Sequence, residues 1–113
     1  MQTPESVEKG NPKLDSRLNQ LVCANQYGVA FQFAEQSNID LVGNKVRVII
    51  ECVPGQLEIV RGTAADTGAT LESSYGNLLQ VVLPITELNN LADEESITSI
   101  RLPQQPLPAT GLH

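Results

Sequence analysis

The chain has 113 residues, long enough for one domain that buries roughly 65% of its unfolded surface. Hydrophobic residues make up 41% and charged residues 18%, which excludes a disordered chain, and with 4% aromatics and no Trp the core must rest on Val, Ile, Leu and Ala. A net charge of −6 and a pI near 4.5 repel phosphate backbones and anionic lipid, so nucleic acid and membrane are excluded as expected partners.

Segment 1–12 is polar and reads as a flexible lead-in. It lacks the basic start and apolar run of a signal peptide, and no stretch approaches the ~20 apolar residues of a membrane helix. The chain as written is therefore expected in the cytosol; as a piece of a protease precursor it would be secreted or at the cell surface.

Residues 13–44 form an N-terminal helical extension. Leu14, Leu18, Leu21 and Val22 fall on one helical face, so Leu14–Asn25 is predicted as an amphipathic helix, with Asp15 and Ser16 near its start. Gly28 breaks it, and a shorter helix is predicted over Val29–Gln36 with Phe31 or Phe33 turned inward. Asn38-Ile39-Asp40 and Gly43-Asn44 read as a loop and a turn.

Residues 45–103 carry the main pattern. In Lys45–Val53, Val46, Val48, Ile50 and Cys52 share one face and Arg47, Ile49 and Glu51 the other. Helical spacing follows at Leu57, Val60, Arg61 and Ala64; Pro54 suits its first turn, and Gly62, Thr67 and Gly68 predict a short or irregular helix. Ala69–Leu83 reads as two strands around Tyr75-Gly76-Asn77. Leu79, Val81 and Leu83 face inward, with Leu78, Gln80 and Val82 opposite. Pro84–Asp93 has helical spacing, and Ile97–Leu102 is a last strand on which Ser99 and Arg101 face away from Ile97 and Ile100. The order strand, helix, hairpin, helix, strand predicts an α+β fold. We expect a ferredoxin-like split β-α-β-β-α-β antiparallel sheet with two helices on one face and the other face open.

An extended Pro-rich tail is predicted over 104–113. Leu107-Pro108-Ala109-Thr110-Gly111 matches the sortase sorting signal, but that signal requires a following apolar span and basic tail, and only Leu112 and His113 follow here.

No catalytic constellation can be assembled. The sole histidine is His113, no Gly-rich phosphate loop ends in Lys-Ser/Thr, and Asp93-Glu94-Glu95 reads as a solvated loop. The expectation is a protein that is not an enzyme and needs no cofactor or metal. Cys23 and Cys52, without metal-ligand spacing, are read as two buried thiols or alternatively as a disulfide.

The strand VRVIIE, the segment LESSYGNLLQVVLP, the helix ITELNNLA and the closing ITSIRLP together resemble the propeptide, or inhibitor, domain of subtilisin-like serine proteases over Lys45 to Pro103. The resemblance implies a monomeric peptidase inhibitor or intramolecular chaperone whose partner is a subtilisin-like protease domain, in cis or in trans. It implies a docking face of Arg47, Ile49, Glu51, Leu78, Gln80, Val82, Ser99 and Arg101, with a substrate-like tail beginning at Leu102-Pro103. On that reading Val82→Asp should abolish binding and spare the fold. The alternative is a ferredoxin-like small-ligand-binding or dimerisation module, with a pocket between sheets and a stable homodimer.

Overall fold

The computed structural model describes residues 11–103. The lead-in 1–10 and the stretch 104–113, with the Leu107–Gly111 motif, lie outside the described residues. Among those described, four α-helices pack with a five-stranded antiparallel sheet, an α+β fold.

Helix α1 (Ser16–Gln26) starts where the Asp15 carboxylate accepts a hydrogen bond from the Arg17 amide at 2.8 Å, satisfying one of the unpaired donors of a first turn. It buries Leu18, Leu21 and Ala24. Leu14, expected in this helix, instead precedes it and forms a parallel bridge to Ile100. Helix α2 (Ala30–Ser37) buries Ala30 and Ala34 and stops at Asn38, whose left-handed φ of 58° is one that asparagine tolerates. Phe33 packs against the core, whereas Phe31 is exposed.

The predicted loop after α2 contains a short strand, β1 (Leu41–Val42), paired with Val46 and Lys45 at the start of β2 (Lys45–Cys52). Two residues are too few for an alternating pattern to announce. The N-terminal extension is thus not purely helical, and the sheet gains a fifth strand. Strand β2 is central. Strand β4 (Leu78–Pro84) runs along one side of it, from Lys45↔Pro84 to Glu51↔Leu78. On the other side β1 occupies the start of β2, and β5 (Ile97–Arg101) occupies Ile49 to Cys52. Strand β3 (Thr70–Tyr75) pairs outside β4 and forms the far edge.

Pro54-Gly55 makes a turn before helix α3 (Leu57–Asp66), so Pro54 lies ahead of the helix rather than in its first turn. The helix is regular over 10 residues: Gly62 sits on its exposed side, where its helix-weakening effect is offset by Val60 and Ala64 packing on the sheet. The predicted helix after Pro84 divides into a 3₁₀ turn (Ile85–Glu87) and a short α4 (Leu88–Ala92), which together bury Ile85, Leu88, Leu91 and Ala92.

One continuous core joins Val46, Val48, Ile50 and Cys52 of β2 with Leu79, Val81 and Leu83 of β4, Ile97 and Ile100 of β5, and the helices' apolar stripes. Full burial of each such Leu, Ile or Val stabilises the fold by roughly 1.5–3 kcal/mol. The outer edge of β5 is closed by the N-terminal segment. The Ile100 amide donates to the Lys13 carbonyl at 2.8 Å and the Asp15 amide donates to the Ile100 carbonyl at 2.9 Å. Asn11, at the end of the supposed flexible lead-in, donates its side-chain amide to Asp93 at 2.8 Å.

Both cysteines are free thiols. Cys52 is buried in the core as expected, but Cys23 is exposed on α1, so neither a buried pair nor a disulfide is present.

Candidate docking face

Period-two alternation in β2, β4 and β5 sends alternate side chains away from the helices. The register then brings the predicted face together: Arg47 lies opposite Val82, Ile49 opposite Gln80, and Glu51 opposite Leu78. On the other side of β2, Ile49 lies opposite Arg101 and Glu51 opposite Ser99. All eight expected strand residues therefore share one face.

That face differs from an open apolar surface. Ile49 and Val82 are only 4% and 6% exposed, yet neither belongs to the continuous core on the helical side. Their cross-strand neighbours on that face have long polar side chains, Arg47 opposite Val82 and Gln80 and Arg101 opposite Ile49, of the kind whose stems can lie over apolar groups while the polar heads meet water. Val82→Asp would place a carboxylate at a nearly buried position, so it is expected to weaken the fold and not to spare it.

The polar cover is an organised network. The Arg47 guanidinium donates from Nε to Glu72 Oε1 at 2.7 Å and from Nη2 to Oε2 at 2.8 Å, a fork-to-fork geometry, while its Nη1 bonds Asp40. Gln80 donates from Nε2 to Glu72 Oε1 at 3.1 Å. Beside it Arg101 Nη1 donates to Glu51 Oε1 at 3.1 Å and to Ser99 Oγ at 3.4 Å. The hydrogen bond from Arg47 holds the Glu72 carboxyl below the ordinary glutamate range, with partial burial opposing it and Gln80 assisting. The same hydrogen bond from the other side, reinforced by the charges of Glu72 and Asp40, keeps Arg47 firmly protonated.

Three residues of this face escaped the sequence reading. Glu72 sits in a β-bulge between Leu71 and Ser73, where alternation slips by one residue. Asp40 lies outside any strand that could signal it. Tyr75 pairs with Leu78 across the Gly76-Asn77 turn, so it shares Leu78's outward face, and it is 59% exposed. The two-residue hairpin register would have revealed it.

Leu102 and Pro103 are placed differently from expectation. Leu102, 6% exposed, belongs to the core, and Pro103 is half-buried, so neither begins a free tail. Both line a recess of about 240 Å³ with Arg17, Asn38, Ile39, Asp40 and Arg47, at the corner where the sheet's last strand ends. Among the described residues no group of three or more His, Cys, Asp or Glu is placed to hold a metal ion, and no helix is long and apolar enough to cross a membrane.

Comparison with protein-family models, curated proteins and solved structures found no match.

Proposed function

We propose that this chain is a noncatalytic interaction domain that docks the helix-free face of its sheet on a partner protein, and that a subtilisin-like serine protease is the partner. The observation that carries the reading is the convergence of Arg47, Ile49, Glu51, Leu78, Gln80, Val82, Ser99 and Arg101 on one face, over which no helix of the described residues packs. Its charged groups are already tied by mutual hydrogen bonds, so docking need not order them, which lowers the entropic cost of association. Tyr75 and Leu78 add an apolar spot at the hairpin end of that face, of the kind that anchors protein interfaces.

Pairings β2–β4, β4–β3 and β2–β5, with α3 connecting β2 to β3 and α4 connecting β4 to β5, support a ferredoxin-like reading of the α+β fold, with β1 and the N-terminal helices as additions. In that reading the domain acts as a monomer, inhibiting the folded protease or templating its folding by binding the native state preferentially. Inhibition is steric and asks for no catalytic group in this chain.

The test is inhibition of a subtilisin-type protease by the purified domain and by Tyr75→Lys. Tyr75 is exposed, so the variant keeps the fold, as circular dichroism will report. Inhibition by the parent, weakened about tenfold or more by Tyr75→Lys, supports the reading. Digestion of the folded parent without inhibition removes the protease as the partner. Removal of the tail must start after Pro103, because a cut before Leu102 would open the core.

A further inference from the structure

The helical side of the sheet carries a second feature, independent of the docking face. Helix α3 crosses β3 and β4 without filling the space beneath its C-terminal half, leaving a cleft of about 230 Å³. The cause lies in the sequence: Ala64, Ala65 and Ala69 present methyl groups where larger side chains would meet the sheet. Val81 forms part of the floor at 1% exposure, whereas its cross-strand neighbour Leu71, on the edge strand, is 40% exposed beside the opening. An apolar hollow of this kind leaves its lining short of contact partners, and an apolar guest supplies them.

One charged group lines the cleft. Arg61 projects from the same helix, and Glu58 engages only its Nη1, at 3.1 Å. A guanidinium carries five N–H donors, and among the described residues Arg61 makes hydrogen bonds through Nη1 alone. An apolar chamber with one cation at its rim is complementary to a small amphipathic anion. Size narrows the class further. A dry cavity of about 150 Å³ holds benzene, so this one suits a body of about six carbons with a head group reaching the rim. Drug-sized ligands ask for about 300 Å³ or more.

We infer that the cleft between α3 and the β3–β4 hairpin is a binding site for a short monocarboxylate, its apolar body on Ala64, Ala65, Ala69 and Leu71 and its carboxylate on Arg61. The proposal does not depend on the docking face, which lies on the opposite side of the sheet.

The test uses hexanoate titrated into protein carrying ¹³C-labelled Ala, Leu and Val methyl groups, with neutral hexanamide as the control. Hexanoate is expected to give saturable shifts of the Ala64, Ala65, Ala69 and Leu71 methyls, and hexanamide to bind about tenfold more weakly, as for loss of one charge-assisted hydrogen bond. Arg61→Gln should bring the two affinities together. Ala65→Leu, at an exposed helix position that keeps the fold, should fill the space and remove the shifts at Ala69 and Leu71. Shifts that stay linear through the millimolar range overturn the site. Equal binding of hexanoate and hexanamide to the parent protein, or an unchanged ratio in Arg61→Gln, overturns the assignment of a carboxylate. Retained saturation in Ala65→Leu places any binding elsewhere.

Discussion

Arg47 of β2 and Glu72 of β3 clasp each other across the intervening strand β4, with both carboxylate oxygens engaged at 2.7 and 2.8 Å. The pair belongs to the face on which Val82, Arg47's cross-strand partner, is almost completely covered although no helix of the described residues packs there. The clasp therefore has two structural roles. It ties the bulged edge strand to the centre of the sheet, and it places the Arg47 side chain directly opposite an outward-facing valine.

Glu72→Gln is expected to lower stability at neutral pH by about 1 kcal/mol, the upper part of the range for a partly exposed ion pair, because the fork geometry is good. Glu72's folded pKa lies below its ordinary value of 4.5, so this stabilisation is complete above that value and is lost as pH falls through the lower folded one. Urea midpoints of parent and variant should thus differ at neutral pH and converge as acid protonates Glu72 in the folded state. A gap that persists in acid would assign the effect to packing instead of charge.

Leu102 separates two readings of the chain's last described residues. As a core residue it should cost about 3 kcal/mol when truncated to Ala, through lost burial and the cavity left behind. Pro103→Ala, one residue on and half-buried, should cost far less. Denaturant unfolding of the two variants decides it. Near-equal, small losses would return Leu102 to the tail.

The longer strands of the sheet were legible because their patterns are periodic, whereas β1, two residues long, was not. In β2, β4 and β5 a two-residue alternation assigns each side chain to a face, and Tyr75-Gly76-Asn77 marks the turn that sets the β3–β4 register. The clasp was not legible. Arg47 and Glu72, with Asp40 as Arg47's further partner, lie far apart in the chain, and the bulge at Glu72 breaks the period on which any extrapolation would rest. Burial of Ile49 and Val82 was hidden for a related reason, since it depends on which residues the neighbouring strands bring alongside and no local pattern carries that. Leu14 fits the apolar stripe of α1 yet sits in a bridge to Ile100, a partner 86 positions away by residue number. Local periodicity identified the faces, and long-range pairing decided what covered them.

The two thiols should behave differently towards a disulfide exchange reagent. Cys23 is exposed and should react in the native protein. Cys52 is buried, and desolvation, assisted by the charge of Glu51, pushes its thiol pKa up, which suppresses the reactive thiolate. One equivalent of thiol is expected under native conditions and a second on adding denaturant. Two equivalents titrating together in the native state would contradict the burial of Cys52.

Two glycines make opposite predictions from similar surroundings. A methyl group added at Gly62 or Gly76 meets no atom within 4 Å, so steric crowding contributes at neither. Gly76 holds a φ of 59° in the hairpin turn, a conformation that costs an L-residue about 1–2 kcal/mol, and Gly76→Ala should destabilise by that amount. Gly62 lies inside α3 without a positive φ, where alanine restricts the unfolded chain and favours the helix. Gly62→Ala should therefore stabilise by about 0.5–1 kcal/mol, raising the melting temperature while Gly76→Ala lowers it. Gly62 occupies an exposed position in α3, so its substitution should leave the sheet face unchanged, giving a more stable background in which face variants can be compared. Destabilisation by Gly62→Ala would mean that α3 is not the regular helix its backbone describes.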